Sequence, residues 1–512
     1  MDNQEQMGGT PIPQEGDPRL VWYCPKPTIR ILFYVDDPAM NLSPWYERRD
    51  HRGGRLSVTE NEFGLYIMRD LLMNEGSELA DFEISLLDRH QGGQAANRLV
   101  PDLLAGYDEV WFFGRRQMNT PTEPDNELTD PEIAALLEWM NSGGMLMTGD
   151  HANPQPRVGG VYVDPTLDHL LGLGRAIGHR VPRAGALRRW EGSPAIDEQV
   201  FDGEQTYIYN TQVPVGTTDP KDLALQEDEW PQKLILTTYA LPSSGPLHSS
   251  QTLGRQVHRL FCGDAAPISV FPDHMHEGAL VMPQTFPTEV WPSGPSGQPL
   301  PEVVARGTDV NGEVRDLVMV YDGTPAGVGR IVADSTWHHY FNVNLIGFPA
   351  DGNVSSQLSQ YYVNLAVWLA PLAKRQAMAW WQRWQLANNA TVQMSYGNPI
   401  AVIGRTATGV LRRTLGPCIV GDLVDTMEFA SMSAQDGLKP PPELLVGGVI
   451  NAYLEAFEQA RTDDRAQEEG IDALTARGLR AAYDEFAVSL RNAAEGAERA
   501  RELLEERLRT GA

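Results

Sequence analysis

Residues 143–151 read Gly143-Gly144-Met145-Leu146-Met147-Thr148-Gly149-Asp150-His151, and the fold is decided here. The paired glycines end one element, Met145 to Thr148 is predicted as a short buried strand, and Gly149-Asp150-His151 follows its carboxyl end. Upstream, Thr129-Asp130-Pro131-Glu132 combines a capping box with a first-turn proline. Ile133, Leu136, Leu137 and Met140 then recur at helical spacing, so a helix leads into the glycine pair.

Further back the alternation continues. Glu109 to Phe113 and Phe82 to Leu87 read as strands. So does Ile29 to Val35, which must stop at Asp36-Asp37-Pro38. A second capping box, Thr59-Glu60-Asn61-Glu62, precedes Phe63, Tyr66, Ile67 and Leu71 on one helical face. Strands separated by crossover helices give a parallel sheet. The expectation is therefore an α/β fold, a flavodoxin-like, doubly wound and mostly parallel sheet, with Gly149-Asp150-His151 at the edge where such sheets bind ligands.

Downstream, strands are predicted over Leu234 to Tyr239, Val257 to Cys262, Leu317 to Tyr321 and Gly329 to Asp334, and a helix over Gln357 to Leu369. Residues 282–301 are dense in Pro, Ser and Gly and read as a surface excursion inside the domain. After Pro371 the chain turns rich in Ala, Gln, Leu, Arg and Glu, with amphipathic stretches at Leu444 to Phe457 and Ile471 to Arg509. The expected organisation is a polar, disordered tail over 1–20, an α/β domain over 21–371 and an acidic α-helical region over 372–512. The charged face of the last helices reads as solvated, with a coiled-coil seam for a protein partner or a second copy as the alternative.

The 512 residues exceed what one hydrophobic core organises, and 42% hydrophobic with 21% charged residues is ordinary for a globular chain. A formal charge of −27 opposes broad contact with nucleic acid or an anionic membrane. The stretch Arg183 to Arg189 is a local basic exception, read as a solvated loop, with contact to an anion as the alternative. Three dispersed cysteines, Cys24, Cys262 and Cys418, form no CxxC pair, so a disulfide framework is not expected and a reducing compartment fits. The tail reads without a signal-peptide pattern and no run reaches the roughly 18 apolar residues of a membrane span, so the expected compartment is the cytoplasm.

The block from Tyr107 to His151 resembles the class I glutamine-amidotransferase-like superfamily, nearest to its trehalose-utilisation (ThuA-like) branch. That branch carries a histidine rather than a cysteine after the strand that follows a Gly-Gly turn, matched here by His151. Its later strand beginning Gly-Arg and ending near a histidine is matched by Gly329-Arg330 through His338-His339, and Asp168-His169 to Gly174 with His179 is similar to its helix and trailing histidine. The resemblance covers about residues 29–345. The chain departs from the pattern at Asp150 and at Arg180, which follows His179.

No cysteine stands at the elbow, so glutamine hydrolysis through a thiolate is not expected there. Cys262 reads as a buried structural thiol. In Asp273-His274-Met275-His276-Glu277 the two histidines alternate on an extended chain, so both could reach one ion. The expected metal ligands are His274, His276, Asp273 and His339, for zinc or a similar divalent ion; the competing reading is loop histidines that only hydrogen-bond. Asp334-Ser335-Thr336-Trp337-His338-His339-Tyr340 should surface at the same edge as His151, as should Asp36 and Asp37.

The candidate catalytic residues are Asp150, His151, Glu277 and His338. His151 or His338 would be the general base, with Asp150 or Glu277 orienting it. The expected activity is hydrolase or lyase chemistry on a small polar, carbohydrate-like molecule, with metal assistance as an option. The alternative is a non-catalytic scaffold with a partner-binding helical tail. No GxGxxG, GxxxxGK[ST] or GxSxG motif supports a nucleotide-dependent enzyme or a serine hydrolase.

Overall fold

The computed structural model describes residues 25–36, 38, 40–43, 48–49, 55–56, 64–75, 77–92, 96–113, 128–147, 157–158, 161–162, 183, 207–208, 213–214, 232–238, 257–263, 266–271, 280, 282–295, 297–308, 314–334, 338–345, 352–411, 440–462 and 471–510. The chain divides into two compact units, Pro27–Tyr239 with Gln256–Arg375, and Met1–Lys26 with Ala240–Arg255 and Gln376–Ala512.

The first unit is built on eight strands: β1 Thr28–Val35, β2 Asp81–Asp88, β3 Glu109–Phe113, β4 Gly144–Met147, β5 Ile235–Leu236, β6 Glu302–Thr308, β7 Val314–Tyr321 and β8 Ile331–Asp334. Their order is β5-β6-β7-β8-β4-β3-β1-β2. From β2 to β8 every pairing is parallel, whereas β8, β7, β6 and β5 pair antiparallel. The result is a mixed, mostly parallel α/β sheet. β3 is buried at all five positions, as a central parallel strand covered on both faces must be.

Alternate residues feed two cores. Leu32, Tyr34, Val110, Phe112, Met145, Ile331 and Ala333 face α2, Asp130–Trp139, through Ile133, Leu136 and Met140. The intervening Phe33, Trp111 and Phe113 are equally buried, with Phe33 stacked on Trp111 and in edge contact with Phe113. On the second face α1, Tyr66–Glu75, packs against α3, Gly352–Leu369, which also touches β4. Gly144 is required there, because a Cβ at this position would overlap the Leu369 carbonyl.

Three expectations change. Val257 to Cys262 is not a strand: Val257 makes one isolated bridge, then Arg259–Phe261 forms a single 3-10 turn. His258 accepts from the Leu260 amide at its start, so a local cap outcompetes strand-forming composition. Cys262 is disulfide-bonded, its partner lying outside the described residues, which removes the composition argument for a reducing compartment. Among its described residues the Pro-rich stretch around 282–301 carries a Gly294–Gly297 bridge and no named strand, yet it places Trp291 in the core, edge-on to Tyr321.

In the second unit, α4, Leu372–Asn388, continues from the first, followed by helical residues 400–411, α5, Pro442–Thr462, and α6, Ile471–Thr510. α5 and α6 meet at Gly448 and Gly478, where a Cβ on either would strike the other's carbonyl. Among the described residues no helix is long and apolar enough to cross a membrane.

Candidate functional site

The carboxyl ends of β1, β3, β4 and β8 lie side by side, with Val35 opposite Phe113, Phe112 opposite Met147 and Met147 opposite Ala333. β2 lies on one side of β1 and β3 on the other, so the connection reverses direction between them, the kind of switch point at which open α/β sheets bind ligands. Asp36, directly after β1, is 1% exposed. Beyond Met147 the chain runs into 148–151, and beyond Asp334 into 335–339. These segments thus leave from neighbouring parallel strands, whose axes are about 4.8 Å apart.

On the α3 face the edge is closed by a buried polar cluster. Asp334 is 0% exposed, and its Oδ2 accepts from Tyr340 Oη at 3.0 Å and Tyr361 Oη at 3.2 Å. His339 Nε2 lies 2.9 Å from the same oxygen, while the Tyr362 hydroxyl donates to the His339 carbonyl. The His339 ring is fully buried, stacked on Phe271 at 4.1 Å and tilted against Tyr340 at 4.3 Å. Neither ring nitrogen makes a hydrogen bond among the described residues, so the 2.9 Å approach of Nε2 to Asp334 is a close electrostatic contact. Burial, then the Asp334 charge, pushes the Tyr340 and Tyr361 phenols well above their ordinary range, so both stay protonated donors.

On the α2 face the corresponding cluster is an ion pair. Arg89, just after β2, donates through Nη1 to Glu132 Oε1, through Nη2 to Oε2 at 3.0 Å, and to the Tyr34 hydroxyl at 2.9 Å. Glu132 also accepts from the Leu99 amide at 3.1 Å and from the Thr129 amide and hydroxyl, both at 2.9 Å. Burial alone would raise the Glu132 carboxyl, but Arg89 and the Thr129 donors outweigh it and lower it to about 2. The capping box legible in the sequence therefore carries a second bond that spacing cannot reveal.

Of the predicted site residues, Asp150, His151, Asp273, His274, His276 and Glu277 lie outside the described residues, as do Asp37, Asp168, His169 and His179. His338 opens the 3-10 turn His338–Tyr340, and its side chain is outside the described set. His339 is described, and it sits in the aromatic core beside Asp334. Phe271, which ends the short strand Val270–Phe271, stacks on His339. Among the described residues no group of three or more His, Cys, Asp or Glu is placed to hold a metal.

Sequence reasoning missed Arg89, Tyr34, Tyr361 and Tyr362, because each acquires its role from a partner distant in the chain. Arg330 of the Gly-Arg motif serves the other end of β8: it donates to Asp322 at 2.8 Å and to the Trp368 carbonyl at 2.8 Å, and lies over the Trp368 ring. The solvated-loop reading fails for Arg183, which is 7% exposed, left-handed at φ 66°, and electrostatically coupled to Tyr321. No family model matches the chain, and no curated protein matches it either.

Proposed function

We propose that the chain is a hydrolase or lyase for a small polar, carbohydrate-like substrate, built on a flavodoxin-like fold of the amidotransferase-like, ThuA-like kind. The observation that carries this reading is the parallel pairing of β4 with β8, from whose ends the His151 and His338 segments depart together. The strand order β2-β1-β3-β4 supports the flavodoxin-like assignment, since its switch point falls at the same edge. In this reading His151 or His338 is the general base, and Asp150 or Glu277 orients it.

The Asp334 cluster supports this reading through rigidity: a carboxylate held by two phenols and a buried imidazole anchors the start of the turn that bears His338. A divalent ion, held by His274, His276 and Asp273, would supply an activated water. His339 is fully buried in the aromatic core with Nε2 2.9 Å from Asp334, so the metal version rests on the 273–277 segment.

The test uses a panel of chromogenic glycosides and small esters, with and without added zinc. Of His151→Ala and His338→Ala, the variant that removes the general base should lower turnover by about 10²–10⁴-fold with melting temperature preserved. Turnover unchanged in both variants would overturn the assignment.

A further inference from the structure

α6 is 40 residues long, but only its first half is covered. Leu474, Thr475, Leu479, Ala482 and Phe486 are buried as the helix packs on α5. At 100° per residue, Ala493, Gly496, Ala497, Ala500 and Leu503 fall on the same arc as that covered row. Beyond Phe486, however, no described residue of the helix is buried, and Leu503 is 64% exposed.

The bare half repeats the device that lets α5 approach. Gly496 follows Gly478 by 18 residues, five full turns, so both glycines occupy one angular position. Gly478 lets the α5 backbone come close at Gly448, whereas Gly496 has nothing within 4 Å of the position a Cβ would take. A glycine inside a helix costs about 0.5–1 kcal/mol relative to alanine.

Charge selects the occupant. Although the chain carries −27, residues 487–510 hold five arginines and five glutamates. Several pair within the helix, including Arg501 with Glu498 at 2.8 Å and Arg499 with Glu495 at 3.7 Å. Such a face offers nothing to a strongly charged partner and does not repel its own copy. We infer that residues 487–510 of α6 form an antiparallel, two-fold interface with the same segment of a second copy, with the dyad beside Gly496 and Ala497. The seam runs about 36 Å at 1.5 Å per residue, continues the intrachain α5–α6 packing, and opposes the two helix dipoles.

Sedimentation of the full-length protein across the micromolar range tests this. The wild type should approach twice the 56.6 kDa chain mass, and Ala497→Asp with Ala500→Asp should return it to the single-chain mass with helical circular dichroism retained. Glu502→Gln, on the charged side, should leave the dimer intact. Should the aspartates disturb folding, Ala497→Cys supplies a second measurement, forming an oxidant-dependent cross-linked dimer that the wild type does not. A wild type that stays monomeric, or a dimer indifferent to the aspartates, overturns the proposal, as does failure of Ala497→Cys to cross-link.

Discussion

The two buried polar clusters at the carboxyl edge of the sheet solve the same problem with different chemistry. Arg89–Glu132 is a bidentate pair of full charges whose carboxylate also caps α2. Asp334–His339 is one carboxylate fed by neutral phenols, beside a buried imidazole neither of whose nitrogens makes a hydrogen bond among the described residues. The first joins β2 to α2 at a desolvation cost that only an intact pair offsets. The second joins the end of β8, the turn His338–Tyr340 and α3 through one carboxylate and neutral donors, so the loss of one donor leaves no full charge stranded.

The sharpest way to break that contrast is Glu132→Ala, which strands the Arg89 guanidinium in the core and removes the cap. A loss of about 3–5 kcal/mol in urea unfolding is expected. Asp334→Ala should cost less, about 2–3 kcal/mol, because the donors left behind are neutral or can become so. Equal losses in the two variants would show that both clusters are locks of one kind.

Acid separates them further. The Glu132 carboxyl lies at about 2 in the folded state against 4.5 ordinarily. A depressed folded value means its stabilisation is complete above pH ~4.5 and drains away as pH falls through ~2. Wild type should therefore lose its advantage over Glu132→Gln progressively within that window, followed by unfolding free energy against pH. A gap that stays constant down to pH 2 would assign the stabilisation to shape rather than charge.

The smallest effects sharpen the comparison on the β8 side. Tyr361→Phe removes one of two phenolic donors to Asp334 and should cost about 1 kcal/mol. His339→Phe keeps the stack on Phe271 and should stay below about 1.5 kcal/mol with turnover intact, since in the proposed reading His338, not His339, is the working group. Loss of turnover in His339→Phe would instead put this imidazole in the chemistry.

The β1, β3, α2 and β4 elements were legible as sequence because runs such as Ile31 to Val35 and Glu109 to Phe113 admit one burial pattern, and because Pro131 and the Gly143-Gly144 pair punctuate them. β6 was not, since Arg306 and Gly307 interrupt its apolar run and its pairing with β7 contains register shifts. Val257 to Cys262 has the composition of a strand, and a His258 cap decided otherwise.

For the candidate site, the sequence by itself determined which residues stand just after strands, because local patterning specifies where a strand stops. It could not say which strands are neighbours, and that β4 lies against β8 is a property of sheet order. Nor could it say that Arg89 meets Glu132, 43 residues on, or that Phe271 meets His339. Such pairings are decided only when the chain closes on itself, where burial makes an unmatched charge or imidazole costly and so selects its partner.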